Sequence, residues 1–122
     1  MADSEVLAAI AAMEADNEVL TAEAPGPWAG KEGKHVPLLS LADGKASVVV
    51  PHGMDDSHFI QYIYIKNPDG DVVAAVEYKV GEMDGVAQGT LEVDTPEGAA
   101  DLTPYAYCNE HGLWKGDSVA VA

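Results

Sequence analysis

The chain has 122 residues, 48% of them apolar, which suits one compact domain with a single core. Its 21 acids face 6 lysines and no arginine, a net charge of −15 that argues against nucleic acid or an anionic membrane surface as partner. Without a run of 18 apolar residues or a basic, apolar leader, the chain is expected to be soluble and cytoplasmic, and its one cysteine forms no intrachain disulfide.

In chain order, residues 4 to about 20 place Val6, Leu7, Ile10 and Met13 at helical spacing among alanines and acids. Ser4 or Asp3 is the expected N-cap of this short amphipathic helix. Such a helix either covers its own domain or serves as an interaction element. Pro25-Gly26-Pro27 stops helical structure, because proline cannot continue a helix and biases its predecessor toward extended backbone. The remainder reads as β-structure. Strands are predicted over 36–41, 45–50, 58–66, 71–80, 86–93, 101–107 and 118–121, most of them rich in β-branched or aromatic residues. Asn67-Pro68-Asp69-Gly70 is a hairpin turn between two of them. The expected fold is therefore all-β: a seven-stranded, immunoglobulin-like antiparallel β-sandwich over 25–122, with a short helical extension over 1–24.

All four histidines and the single cysteine fall in three short segments: Gly33-Lys34-His35-Val36-Pro37, Pro51-His52-Gly53-Met54-Asp55-Asp56-Ser57-His58, and Cys108-Asn109-Glu110-His111-Gly112-Leu113-Trp114. None is left over, and this clustering points to a metal site. Any one histidine alone would more simply be held by a backbone hydrogen bond, and Cys108 alone would be a buried, inert thiol. Five ligands are too many for tetrahedral zinc, and blue copper uses two histidines, one cysteine and a weak axial group. Four nitrogens in a plane with one axial sulfur would suit iron and leave an open position opposite the sulfur.

The three segments resemble the ferrous-iron domain of the desulfoferrodoxin and neelaredoxin superoxide reductases. The family pattern reads Trp, Gly, Glu-Lys-His-Val-Pro, then Pro-His-Pro with a second histidine six residues after the first, then Cys-Asn-x-His-Gly-x-Trp. Here it is met by Trp28, Gly30, Lys34-His35-Val36-Pro37, Pro51-His52, His58-Phe59-Ile60 and the segment Cys108 to Trp114. The likeness runs from about Trp28 to Lys115.

The resemblance implies one mononuclear iron per chain, with His35, His52, His58 and His111 as equatorial ligands and Cys108 as the axial one. It implies Lys34 beside an open face, superoxide as substrate, hydrogen peroxide as product, an external electron donor such as rubredoxin, and a homo-oligomer with a tetramer as the candidate assembly. Lys31, Lys34 and Lys115 flank the ligand segments and are expected to form a positive funnel for an anion.

Three departures stand out. Glu32 precedes the Lys-His pair by one residue more than the family glutamate, so its implied role as ligand of the oxidised state depends on a looser loop. Gly53 replaces the usual proline and adds backbone freedom. No four-cysteine segment occurs in these 122 residues, so the chain is expected to fall with the one-iron class. Trp28 and Trp114 are read as aromatic walls of the site, Asn109 as a donor to the cysteine sulfur or a plain turn residue, and the five tyrosines as strand packing. Two other functions stay open: a non-catalytic iron-binding sandwich for storage, sensing or electron relay, and a metal-free immunoglobulin-like interaction module.

Overall fold

The computed structural model describes residues 4–83, 85–96 and 101–121. It is a two-sheet sandwich whose described residues form nine strands rather than the seven predicted. Helix α1 covers Ser4–Asp16, and the strands are β1 Val19–Leu20, β2 Leu38–Ala42, β3 Lys45–Val50, β4 Ile60–Lys66, β5 Val72–Glu77, β6 Gly89–Asp94, β7 Asp101–Cys108, β8 Gly112–Lys115 and β9 Val119–Ala120. One sheet runs β1-β8-β7-β4-β5 with β9 paired to β7, and the other runs β2-β3-β6.

Alternation sets the faces. In β3, Ala46, Val48 and Val50 are buried and point inward, and in β7 Leu102, Pro104, Ala106 and Cys108 do the same. They meet Ile63 and Ile65 of β4 and Leu91 of β6 in the sandwich core. Strand β4 breaks the alternation: Tyr62, Ile63, Tyr64 and Ile65 are all buried. The cause is α1, whose Ile10 and Met13 cover Tyr62 and Tyr64 on the sheet's outer face, so the strand is buried on both sides. Burying each of those two helix side chains contributes about 1.5–3 kcal/mol. The Tyr64 hydroxyl donates to Glu14 Oε2 at 2.6 Å, and Lys66 Nζ lies 2.9 Å from the same oxygen.

Several boundaries differ from the sequence expectation. The helix ends at Asp16, not near residue 20, because the Asn17 side chain donates to the Met13 carbonyl at 2.9 Å and occupies one of the last free acceptors. Val19 and Leu20 then pair with Leu113 and Trp114 of β8, in parallel, so the 1–24 segment is part strand and the sheet is not wholly antiparallel. Ser4 is the first helical residue, and Asp3 lies outside the described residues. The predicted strand over 36–41 begins at Leu38, since residues before it turn through the short helix α2, Glu32–His35. The strand predicted from residue 86 begins at Gly89, where a Cβ would press on Ile63. The strands predicted over 58–66, 71–80 and 118–121 are each shorter in the structure. No helix among the described residues is long and apolar enough to cross a membrane.

Candidate metal centre

Topology brings the three ligand segments to one end of the sandwich. His35 closes α2 just before β2, and His52 follows β3, the antiparallel partner of β2. His58 precedes β4, Cys108 ends β7, and Ile60 and Cys108 are register partners in that antiparallel pair. His111 sits in the turn between β7 and β8. Two of the five residues therefore come from the smaller sheet's hairpin and three from the larger sheet.

Their ligand atoms all lie within 4.8 Å of one another. His35 Nε2 is 3.2 Å from His111 Nδ1, which is 3.1 Å from His58 Nε2, which is 3.2 Å from His52 Nε2. Cys108 Sγ is 3.8 Å from both His52 Nε2 and His111 Nδ1. Bonds of about 2.1 Å from one ion at right angles would place neighbouring nitrogens about 3 Å apart, so the spacing fits a shared cation.

The tautomers fit as well. His35 Nδ1 donates to the Lys31 carbonyl at 2.8 Å and His52 Nδ1 to the Gly53 carbonyl at 2.5 Å. A carbonyl can only accept, so the inward Nε2 atoms of both rings carry lone pairs. Two lone pairs aimed into one small space repel unless a cation lies between them.

Burial favours the neutral form of three of the rings. Burial pushes His35 down to about 4, aided by the nearby His52, His111 and His58 rings, and it lowers His52 and His111 too. Neutral imidazole is the ligand form. Burial raises the Cys108 thiol, opposed by the backbone N–H groups of Glu110 and His111 that donate to it. A cation in the ring would ionise that thiol outright. The donor set of four imidazoles and one thiol thus fits a first-row transition metal.

The surroundings are asymmetric. Cys108 is fully buried, whereas all four histidines line an open cleft of about 380 Å³. Lys31, Lys34 and Asp55 also line it, and Lys34 is exposed. Lys115 does not join them: it lines a separate depression with Glu23 and Asp117, so the expected funnel has two lysines, not three. Glu32 lies in the first turn of α2, where its carboxylate accepts the Gly30 N–H at 2.6 Å and is not part of the cleft wall.

Trp28 packs edge-on against His111, with ring centroids 4.7 Å apart, and Trp114 lies 5.5 Å from His35 while its indole N–H donates to the His111 carbonyl at 2.9 Å. Both wall the cluster. Asn109 does not donate to the sulfur through its side chain, because both ends of its amide are engaged elsewhere: Oδ1 accepts the Phe59 N–H and Nδ2 donates to the Ser57 carbonyl.

Asp55 is a residue the sequence reading passed over. Its carboxylate accepts from the Ser57 N–H, the Ser57 hydroxyl and the His58 N–H, which fixes the turn before His58 and lowers its own pKa. The pattern Asp-x-Ser-His was its signal, since aspartate turns onto the backbone two residues on. Behind α2, Gly116 leaves room for Pro37: a Cβ there would overlap the Pro37 carbonyl oxygen.

The desulfoferrodoxin family model matches residues 28–117 of the chain. The chain belongs to the desulfoferrodoxin family. A family relative from Archaeoglobus fulgidus, provisionally named a superoxide reductase, is 29% identical over 115 residues, 72% of this chain and 89% of its own. Among solved structures, a variant of the neelaredoxin superoxide reductase of Ignicoccus hospitalis superposes with a TM-score of 0.63 at 20% identity, covering 85% of this chain and 94% of that one. The one-iron superoxide reductase of Giardia intestinalis gives 0.58 at 20%, covering 72% and 98%. At these identities the two structures bear out the sandwich fold. Helix α1 and β1 lie outside the residues that match the desulfoferrodoxin model.

Proposed function

We propose that the chain is a superoxide reductase, with one iron held by His35, His52, His58, His111 and Cys108. The observation that carries this reading is the two-sidedness of the cluster: the four histidines face the cleft while the sulfur lies buried behind them. Family membership and the superoxide reductases among its relatives support it. When bound, the iron would supply the single electron that, with two protons, converts superoxide to hydrogen peroxide.

The chain's own residues do the rest. Lys31 and Lys34 set a positive mouth on a protein of net charge −15 and draw the anion into the cleft. Lys34 Nζ donates hydrogen bonds to the bound anion, and the open cleft admits the water that supplies protons. The Lys31 and Gly53 carbonyls hold the His35 and His52 rings in the tautomer that leaves Nε2 free. The Glu110 and His111 N–H groups steady the thiolate. Glu32 would serve the oxidised state as a sixth donor after giving up the Gly30 N–H.

Among the described residues the cluster stands alone as a His/Cys site, which supports an external one-electron donor such as rubredoxin. The homo-oligomer rests on the family resemblance.

Pulse radiolysis of iron-loaded, reduced protein tests the proposal, with Cys108→Ser as control. Superoxide should oxidise the wild-type iron one for one, with peroxide formed and no oxygen, and the serine variant should lose the fast phase. Iron that binds but resists superoxide would transfer the site to storage, sensing or electron relay. Failure to bind iron would leave the metal-free module.

A further inference from the structure

The loop that carries His58 and the turn that carries Cys108 and His111 meet at the open end of the β4–β7 pair. The ladder continues one step past the strands, where the Asn109 N–H donates to the Phe59 carbonyl at 3.2 Å. The Asn109 side chain then reaches back across the gap. Its Oδ1 accepts the Phe59 N–H at 2.9 Å and its Nδ2 donates to the Ser57 carbonyl at 3.1 Å. The roles of the two amide atoms are forced, since an N–H can only donate and a carbonyl can only accept.

One side chain therefore grips the backbone on both sides of His58, and it is covalently next to Cys108. Inside the loop, Asp55 fixes the same turn through Ser57 and His58, but no bond from Asp55 crosses to the cysteine turn. We propose that Asn109 is a positioning residue that sets the separation between the His58 ring and the Cys108 sulfur. This rests on reading the cluster as a metal centre. Asparagine suits the task because it carries an acceptor and a donor on separate atoms of a short stem: aspartate keeps the acceptor and loses the donor, and alanine loses both. The sulfur's own hydrogen-bond donors, the Glu110 and His111 N–H groups, are backbone atoms and survive either change.

Cobalt(II) titration of metal-free wild type, Asn109→Ala and Asn109→Asp tests this, read by chelator competition and by the thiolate-to-cobalt charge-transfer band. Tyr64→Phe, on the outer face beneath α1, serves as a control for general loss of stability. Loss of a hydrogen bond to a metal ligand itself typically costs about 10–100-fold in affinity; Asn109 holds the backbone on either side of one, so Asn109→Ala should weaken cobalt binding by roughly tenfold, the lower end of that range, and shift the band. Asn109→Asp should also fall short of wild type, and it supplies the comparison where the alanine variant fails to fold. Tyr64→Phe should lower unfolding stability and leave affinity and band alone. Wild-type affinity and band in both Asn109 variants would overturn the role of Asn109 by itself. A wild-type chain that takes up no cobalt would overturn the metal centre, and this inference with it.

Discussion

Lys31 and Lys34 are two of only six cations in the chain, and both stand at the cleft. Lys45 and Lys66 are engaged by Asp94 and Glu14. At physiological salt the Debye length is about 8 Å, so a cation at the cleft mouth governs the last approach of a small anion while distant carboxylates are screened. Lys34→Ala should slow superoxide association by roughly tenfold and flatten its dependence on ionic strength, measured by pulse radiolysis over a salt series. Unchanged second-order kinetics would remove the steering role. His35 makes a second prediction. Burial holds its pKa at about 4 in the folded chain, against the ordinary 6.5. Above pH 6.5 the ring is neutral in both states; between 6.5 and 4 the unfolded chain binds a proton that the folded chain refuses, so stability falls as pH falls. From pH 7 to pH 4.5 the metal-free wild type should lose about 2–3 kcal/mol relative to metal-free His35→Gln. Parallel urea curves for the two at both pH values would show that the ring is not desolvated.

At the scale of elements, α1 answers a question the sequence left open: it covers the domain's own tyrosine face. Its anchor is Glu14, which serves both Tyr64 and Lys66. Glu14→Ala would strand a buried hydroxyl and should cost about 1–3 kcal/mol, seen as a lower urea midpoint and faster proteolysis within residues 4–16. Equal midpoints would mean the helix is held by its apolar stripe alone. The strands that alternate cleanly, β3 and β7, were legible because each buries one face. Strand β1 was missed because two residues carry no period, and β8 because Gly112 to Lys115 overlaps the segment read for its ligands. The five donor residues were legible because their types are rare and clustered. The carbonyls of Lys31 and Gly53 were not, since every residue has a carbonyl and only the fold decides which faces an imidazole. Asn109 was singled out for the right loop and the wrong partner, because its reach across to Ser57 depends on strand register.

For the molecule as a whole, a charge of −15 on 122 residues is self-repelling and is relieved by added salt. Raising KCl to about 1 M should therefore stabilise the protein by about 1 kcal/mol or more, a Tm rise of about 4 °C at this size. A flat or falling Tm would remove that expectation.

His35 and His111 stand 76 residues apart in the chain and 3.2 Å apart in space. During synthesis, His35 leaves the ribosome long before its neighbour in the ring has been made. No stretch that ends before residue 108 carries the full donor set, since the sulfur and the last imidazole arrive together at residues 108 and 111. A chain truncated before Cys108 keeps three of the four histidines and lacks the sulfur. On the reading of the cluster as a metal centre, full-affinity uptake of the ion should therefore require a chain folded through the Cys108–His111 turn.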